Sequence, residues 1–111
     1  MNEIARGILV AAALQGVPQI YGQAARGRGR CALGVLAEAC NELRTGEDVI
    51  GNKTSWIEDH QWMAHRFDFA ARATCIYCCY GLFNVLASEE DVIAHMNDDH
   101  KCDFLEIARK L

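Results

Sequence analysis

Residues 88–111, SEEDVIAHMNDDHKCDFLEIARKL, give the clearest indication of the fold. Ser88 is followed three residues later by Asp91, a spacing typical of the capping box at the start of a helix. Asp103 can cap a second helix, because an aspartate side chain accepts the free N–H groups of a first turn. Apolar residues recur at helical spacing in both segments, at Val92, Ile93 and Met96 and then at Phe104, Ile107, Ala108 and Leu111. The chain is therefore predicted to end in a helical hairpin.

Upstream of this hairpin the sequence again predicts helices. Asn2 is a suitable cap for a first helix, which ends near Gly16. Residues 19–30 contain an Arg-Gly repeat and predict a connection with room for a short helical turn. A second helix is expected from near Cys31 to just before Thr45. The apolar positions of the two helices are Ile4, Ile8, Leu9, Ala12 and Leu14, and then Leu33, Leu36, Cys40 and Leu43.

A third, longer helix is predicted to begin near Ser55 or Asp59 and to run to Tyr80. Its later half is apolar on every side, so we expect it to form the buried centre of the domain. Residues 75–80 are also rich in aromatic and branched side chains, and a strand there stays an alternative. No segment alternates with period two for long. We therefore expect one domain over residues 1–111, an all-α bundle of about five helices.

The composition limits the partners and the compartment of the protein. The 111 residues carry 11 Lys and Arg against 15 Asp and Glu, a net charge of −4, which argues against a nucleic-acid-binding protein. No apolar run approaches the roughly 18 residues that a membrane span requires, and the N-terminus lacks a convincing signal-peptide cleavage site. We therefore expect a cytoplasmic protein that does not cross a membrane.

Charge is uneven along the chain. Residues 1–44 carry five basic and three acidic side chains, whereas residues 45–111 carry six and twelve. The acidic half favours a cationic partner or plain solubility. The basic stretch in the other half is a candidate site for an anion or small ligand, with a solvated loop as the alternative. Its candidate binding residues are Gln23, Arg26, Arg28 and Arg30.

Six cysteines are the unusual feature of the composition. Thiols stay reduced in the cytoplasm, so a disulfide framework is not expected. Cys31 follows two arginines at a predicted helix N-terminus, where the dipole and nearby cations stabilise a thiolate. The alternative to a packed helix residue is a cysteine hydrolase, with Cys31 as nucleophile, His95 as base and Asn97 completing a Cys-His-Asn arrangement. Gln19 or Gln23 would then donate to an oxyanion.

A zinc site is the alternative for the later cysteines. Cys75 with Cys78, or with Cys79, lies one turn apart on the predicted third helix, so two thiolates can reach one metal ion. Further ligands would come from His95, His100 or Cys102. The surrounding sequence disfavours this site, because structural zinc ligands usually lie in tight turns and these cysteines interrupt an apolar run. We therefore expect packed cysteines and predict no metal or cofactor.

Two tryptophans, Trp56 and Trp62, lie in a polar and aromatic segment that also contains His60, His65 and Asp68. The histidines and the aspartate match no metal-binding template, and an exposed helix face explains them better. The tryptophans are candidate interface residues, since large aromatic side chains are enriched at interfaces. So much apolar helix surface on a small domain favours a homodimer.

Three short motifs stand out beyond these patterns. They are a Gln-Gly-like element formed by Gln19, Gly22 and Gln23, the run Cys31-Ala32-Leu33-Gly34 at a helix start, and Asn97-Asp98 between the terminal helices. Together they resemble a group of small uncharacterised bacterial and phage-borne helical proteins. The chain departs from that group in its additional His and Cys residues near the end. The group has no established activity, so the resemblance implies a helical fold and no particular reaction.

The sequence as a whole favours a small cytoplasmic interaction or ligand-binding protein, carried by a phage or another mobile element. Its expected partners are a second copy of the chain and an unidentified protein or small molecule. The cysteine hydrolase is the alternative function.

Overall fold

The structure, a computed structural model, describes residues 2–39, 67–82 and 87–111. These ranges contain four helices and one β-hairpin, in the order α1 (Glu3–Leu14), β1 (Ala25–Arg26), β2 (Gly29–Arg30), α2 (Ala32–Ala39), α3 (Glu89–Asp98) and α4 (Phe104–Lys110). The described part of the chain is therefore mainly helical. The expected helical fold is confirmed in this coarse form. The described ranges also contain a small β-hairpin, which an all-α bundle lacks, and the count of about five helices stays a prediction. None of the described helices is long and apolar enough to cross a membrane.

Helix α1 begins where the sequence predicts. Oδ1 of Asn2 accepts the N–H of Ala5 at 3.0 Å and so supplies a partner that the first turn lacks. The buried stripe of the helix consists of Ala5, Leu9 and Ala12. Ile4 and Leu14, which the sequence places on this face, are exposed. That prediction is wrong because a residue one or two positions from a buried one is turned by roughly 100° or 200° around the helix.

Residues 19–30 form the expected connection, but they contain a β-hairpin and no helical turn. β1 and β2 are antiparallel, with Ala25 opposite Arg30. Gly27 has a φ of +57°, and positive φ is what a two-residue turn between strands requires. The N–H of Arg30 donates to the carbonyl of Pro18 at 2.9 Å, which ties the hairpin to the segment that follows α1.

Helix α2 starts directly after Cys31, as predicted, and residues 32–37 are buried. Gly34 permits a close approach of two backbones, because a Cβ at this position would clash with the carbonyl oxygen of Ala24. The segment that leads into β1 therefore packs directly against the helix. The predicted continuation of this helix to just before Thr45 lies outside the described residues.

The predicted C-terminal helical hairpin is confirmed. Ser88 Oγ accepts the N–H of Asp91 at 3.3 Å, and Asp91 Oδ2 accepts the N–H of Ser88 at 3.0 Å, so the capping box is complete. Asp103 Oδ1 accepts the N–H of Glu106 at 2.8 Å and caps α4. The predicted inner residues are all buried, namely Val92, Ile93, Met96, Phe104, Ile107, Ala108 and Leu111. Helix α4 packs chiefly against α1, and α3 packs against α2.

The prediction of a third helix is wrong over the part that the structure describes. Residues 67–82 form turns and bends, with neither a helix nor a strand. Asp68, within the predicted helix, adopts a φ of +52°, and positive φ is incompatible with a continuous right-handed helix. The remainder of the predicted helix, residues 55–66, lies outside the described residues.

Candidate metal centre

Residues 75–82, which we call the knuckle loop, reverse the chain ahead of α3. The N–H of Cys75 donates to the carbonyl of Tyr80 at 3.0 Å and closes the loop. Within it, the N–H of Tyr77 donates to Cys75 Sγ and the N–H of Tyr80 donates to Cys78 Sγ, both at 3.4 Å. Each sulfur is therefore positioned by the backbone two residues further along the chain.

Four side chains meet between the knuckle loop on one side and α3 and its following turn on the other. The ligand atoms of Cys75, Cys78, His95 and His100 all lie within 4.8 Å of one another. Cys78 Sγ lies 3.2 Å from His95 Nε2. Zinc bonds of about 2.0–2.3 Å place the ligand atoms of a tetrahedral site roughly 3.3–3.8 Å apart. The four atoms are therefore close to the separation that one tetrahedral ion requires.

His95 has the orientation that a metal ligand needs. Its Nδ1 lies 2.7 Å from Oδ2 of Asp99, the C-cap residue that follows α3. An ionised carboxylate can only accept a hydrogen bond, so Nδ1 carries the ring proton and Nε2 directs its lone pair toward Cys78. The ring also stacks on Tyr80, with 4.1 Å between centroids and 7° between planes. A carboxylate behind a histidine in this way is common at protein zinc sites.

His100 gives an independent indication of a ligand. Its Nε2 is buried and has no hydrogen-bond partner in the described part of the chain. A buried polar atom without a partner costs about 1–3 kcal/mol, so this nitrogen needs an explanation. The ring lies 5.2 Å from that of Tyr77 and meets the ring of His95 edge-on at 4.8 Å. These contacts fix the imidazole within the cluster, where a metal ion would satisfy it.

The protein surroundings raise the pKa of three groups in or beside the cluster. Burial raises the pKa of the Cys75 thiol and the pKa of the Cys102 thiol. The hydroxyl of Tyr77 donates to Glu106 Oε1 at 2.6 Å, and this bond raises the pKa of Tyr77. Such shifts follow from desolvation and nearby carboxylates. A bound metal ion reverses the balance, because it deprotonates the thiols that coordinate it.

Two thiolates and two imidazoles form a ligand set that suits zinc. Zinc takes sulfur and nitrogen ligands in tetrahedral geometry, whereas magnesium and calcium take oxygen. Two residues separate Cys75 from Cys78 and four separate His95 from His100, spacings typical of structural zinc sites. These four residues would supply all the ligands of a tetrahedral ion and would leave no position for a water molecule. This arrangement fits a structural ion better than a catalytic one.

Cys31 lies at the start of α2 and is buried, with 3% of its surface exposed. Its Sγ accepts the N–H of Gly34 at 3.4 Å, so the thiol serves as a cap for the helix. The base proposed for it, His95, has both ring nitrogens engaged in the contacts described above. The catalytic role of Cys31, His95 and Asn97 stays a prediction, and these contacts give it no support.

Asn97 connects distant segments of the chain and is completely buried. Its Oδ1 accepts Nε2–H of Gln19 at 2.8 Å and the N–H of Ala32 at 3.1 Å. Its Nδ2 donates to the carbonyl of Ile20 at 3.0 Å. Gln19 also donates to the carbonyl of Cys102 at 2.7 Å. The side chains of Gln19 and Asn97, which belong to two of the sequence motifs, therefore hold α2, α3 and the connection before β1 together.

Among the candidate anion-binding residues, Arg30 is buried and engaged. Its Nε donates to Glu38 Oε2 at 2.5 Å, and its Nη1 donates to two backbone carbonyls of the hairpin. This ion pair borders a cavity of about 320 Å³ beside α1 and α2. Arg26 and Arg28 are exposed and Gln23 is half-buried. Anion binding by these residues stays a prediction.

Of the other predicted site residues, two lie outside the described ranges and three are cysteines in or beside the cluster. Trp56 and Trp62, the candidate interface residues, lie outside the described residues. Cys75 is buried as expected, but Cys78 and Cys79 are exposed. The prediction of packed cysteines is wrong at these two positions because the apolar run forms a turn at the surface and not a central helix.

The four-residue cluster is a candidate for the zinc site that the sequence disfavours, and the expectation of no metal stays a prediction. Its four residues all appear among the ligands considered from the sequence. The predicted third helix would place both cysteines in the core, and for that reason the sequence disfavours the site. The sequence signal that does point to the site is a combination of spacings. Cys-x2-Cys is followed after sixteen residues by His-x4-His, close to the pattern of known zinc sites.

No protein-family model, no curated protein and no solved structure matches the chain. Its function is therefore inferred from the contacts between its own residues.

Proposed function

We propose that the protein is a small zinc-binding interaction protein in which one zinc ion ties the knuckle loop to the C-terminal helical hairpin. The observation that carries this proposal is the convergence of Cys75, Cys78, His95 and His100 within 4.8 Å. The buried Nε2 of His100, which has no hydrogen-bond partner among the described residues, and the carboxylate of Asp99 behind His95 support it.

The role of zinc in this proposal is structural. The knuckle loop has no regular secondary structure, and Ile76, Tyr77, Cys78 and Cys79 are exposed. A segment that buries so little apolar surface gains little from the hydrophobic effect. Metal coordination supplies stabilisation of another kind, because the free energy of zinc binding is available only when the four ligands are assembled.

The interaction part of the proposal rests on exposed apolar side chains beside the metal cluster. Ile76, Tyr77 and Leu82 of the knuckle loop are 61%, 40% and 56% exposed, and Leu105 of α4 is 42% exposed. A metal-fixed loop would hold the first three in place for a partner. We propose a second copy of the chain as that partner, with another protein or a small molecule as alternatives. A cytoplasmic location would keep the thiol ligands reduced.

Elemental analysis and native mass spectrometry of the freshly purified protein test the proposal. We expect one zinc ion per chain, and we expect it to be lost in Cys78→Ser and in His100→Ala. Cys79→Ser is the matched control, because Cys79 is an exposed neighbour of Cys78 outside the four-residue cluster. Less than about a tenth of an equivalent of zinc in the native protein would overturn the zinc site. The subunit mass in the same spectrum tests the homodimer separately.

A further inference from the structure

We infer that Cys75 and Cys78 also form a redox switch, in which a peroxide oxidises the two thiols to a disulfide and the zinc ion is released. This inference rests on the proposed zinc site. The two sulfurs supply half of its ligands and lie in a single loop, separated by two residues. The four metal ligands therefore include two that can bond to each other.

The positions of the two sulfurs favour this bond. Each accepts a backbone N–H from within the knuckle loop, and the two atoms lie within 4.8 Å of each other. A disulfide brings its sulfurs to roughly 2 Å. The remaining distance is within the reach of side-chain rotation and adjustment of one surface loop, so the helices need not move.

Exposure sets the order of the two reaction steps. Cys78 is exposed, whereas Cys75 is 5% exposed. A peroxide arriving from solvent therefore meets Cys78 first. Susceptibility to oxidation follows thiolate character and access, and zinc keeps both sulfurs in the thiolate form.

The chemistry balances with a peroxide, ROOH, as the oxidant. The thiolate of Cys78 attacks a peroxide oxygen, so an S–O bond forms, the O–O bond breaks, and the alkoxide that leaves takes a proton to become ROH. The sulfur of Cys75 then attacks the sulfenic acid of Cys78. An S–S bond forms, the S–O bond breaks, and hydroxide leaves and takes a proton to become water. The two thiolates lose two electrons and the peroxide gains them.

The disulfide removes both thiolate ligands from the metal. Only His95 and His100 remain, and two neutral imidazoles do not make the four-ligand site that structural zinc requires. The knuckle loop, with the exposed Ile76 and Tyr77, then loses its metal link to the hairpin. Oxidising conditions in the cell would in this way change how the loop presents these two apolar side chains to a partner.

Zinc release and disulfide formation can be measured together. The reduced, zinc-loaded protein is treated with hydrogen peroxide, a chromogenic chelator reports free zinc, and peptide mass spectrometry locates the disulfide. Cys79→Ser is the matched control, since it removes the competing neighbouring thiol and leaves the four ligands in place. We expect both proteins to lose their zinc as a Cys75–Cys78 disulfide appears. Reduction with a dithiol in the presence of zinc should restore the bound metal.

Other outcomes overturn the inference. Zinc that stays bound during oxidation contradicts the switch, and so does zinc release without a Cys75–Cys78 disulfide. A disulfide that involves Cys79, together with loss of zinc release in Cys79→Ser, would mean that a thiol pair other than Cys75 and Cys78 is oxidised. In these cases the zinc site itself stands, because the untreated protein contains zinc. A reduced protein without zinc overturns the switch and the proposed function together.

Discussion

The side-chain amide of Asn97 makes four hydrogen bonds at a position with no solvent exposure. Asn97→Ala would leave the N–H of Ala32 and the carbonyl of Ile20 without this partner, and each buried unpaired group costs about 1–3 kcal/mol. We expect the free energy of unfolding to fall by about 2–4 kcal/mol, measured by urea denaturation. Arg109→Ala, on the exposed side of α4, is the control and should change it by less than about 0.5 kcal/mol. Equal midpoints for the two variants would contradict the structural role of Asn97.

Asp99 offers a second test at the scale of one residue. Its carboxylate holds His95 Nδ1 at 2.7 Å, although the side chain itself is 67% exposed. Asp99→Ala should therefore leave the fold intact and weaken zinc binding by about 10- to 100-fold, as loss of such partners does at other zinc sites. Competition with a chelating dye measures the affinity, with Glu3→Ala on α1 as a matched control. An affinity equal to that of the control would mean that Asp99 does not orient the ligand.

The residue contacts that the sequence predicts correctly are local ones. Asn2, Ser88 and Asp103 each bond a backbone N–H three residues further along, and that spacing is visible in the sequence. Asn97 instead bonds residues that lie 65 and 78 positions away. No local pattern contains such a contact. The sequence therefore gives no sign that Asn97 connects these segments, and the catalytic role suggested for it stays a prediction.

Two glycines provide a matched test at the scale of elements. A Cβ at Gly34 of α2 would clash with the carbonyl of Ala24, whereas a Cβ at Gly7 of α1 meets nothing within 4 Å. Gly34→Ala should separate the helix from the connection before β1 and destabilise the protein by about 1–3 kcal/mol. Gly7→Ala should stabilise it by about 0.5–1 kcal/mol, because alanine is the better helix former. Thermal or urea unfolding measures both, and the same sign for both changes would contradict the packing of α2.

The knuckle loop and the β-hairpin show why apolar spacing in the sequence fails to predict some elements. Prediction from apolar spacing assumes that apolar residues are buried, yet Ile76 and Tyr77 are 61% and 40% exposed. The loop is ordered instead by N–H bonds to sulfur and by the ligand cluster, which are not features of periodicity. The strands have two residues each, too few to show alternation. The C-terminal hairpin, with caps and long apolar faces, is predicted well.

Zinc removal tests whether the proposed ion stabilises the whole molecule. If the ion ties the knuckle loop to the hairpin, zinc binds the folded chain far better than the unfolded one. At a free zinc concentration 100 times the Kd, binding adds about 2.7 kcal/mol to the free energy of unfolding. We expect a chelator to lower the urea midpoint of the native protein and to leave that of Cys78→Ser unchanged. A native midpoint that does not respond to the chelator would contradict a structural role for the ion.

X-ray absorption at the zinc edge tests the proposed zinc site itself, because it reports which atoms surround the ion. For the reduced protein purified with its metal, we expect two sulfur ligands at about 2.3 Å and two nitrogen ligands at about 2.0–2.1 Å, from Cys75, Cys78, His95 and His100. A shell without sulfur, or a shell with three or more sulfurs, would contradict this ligand set.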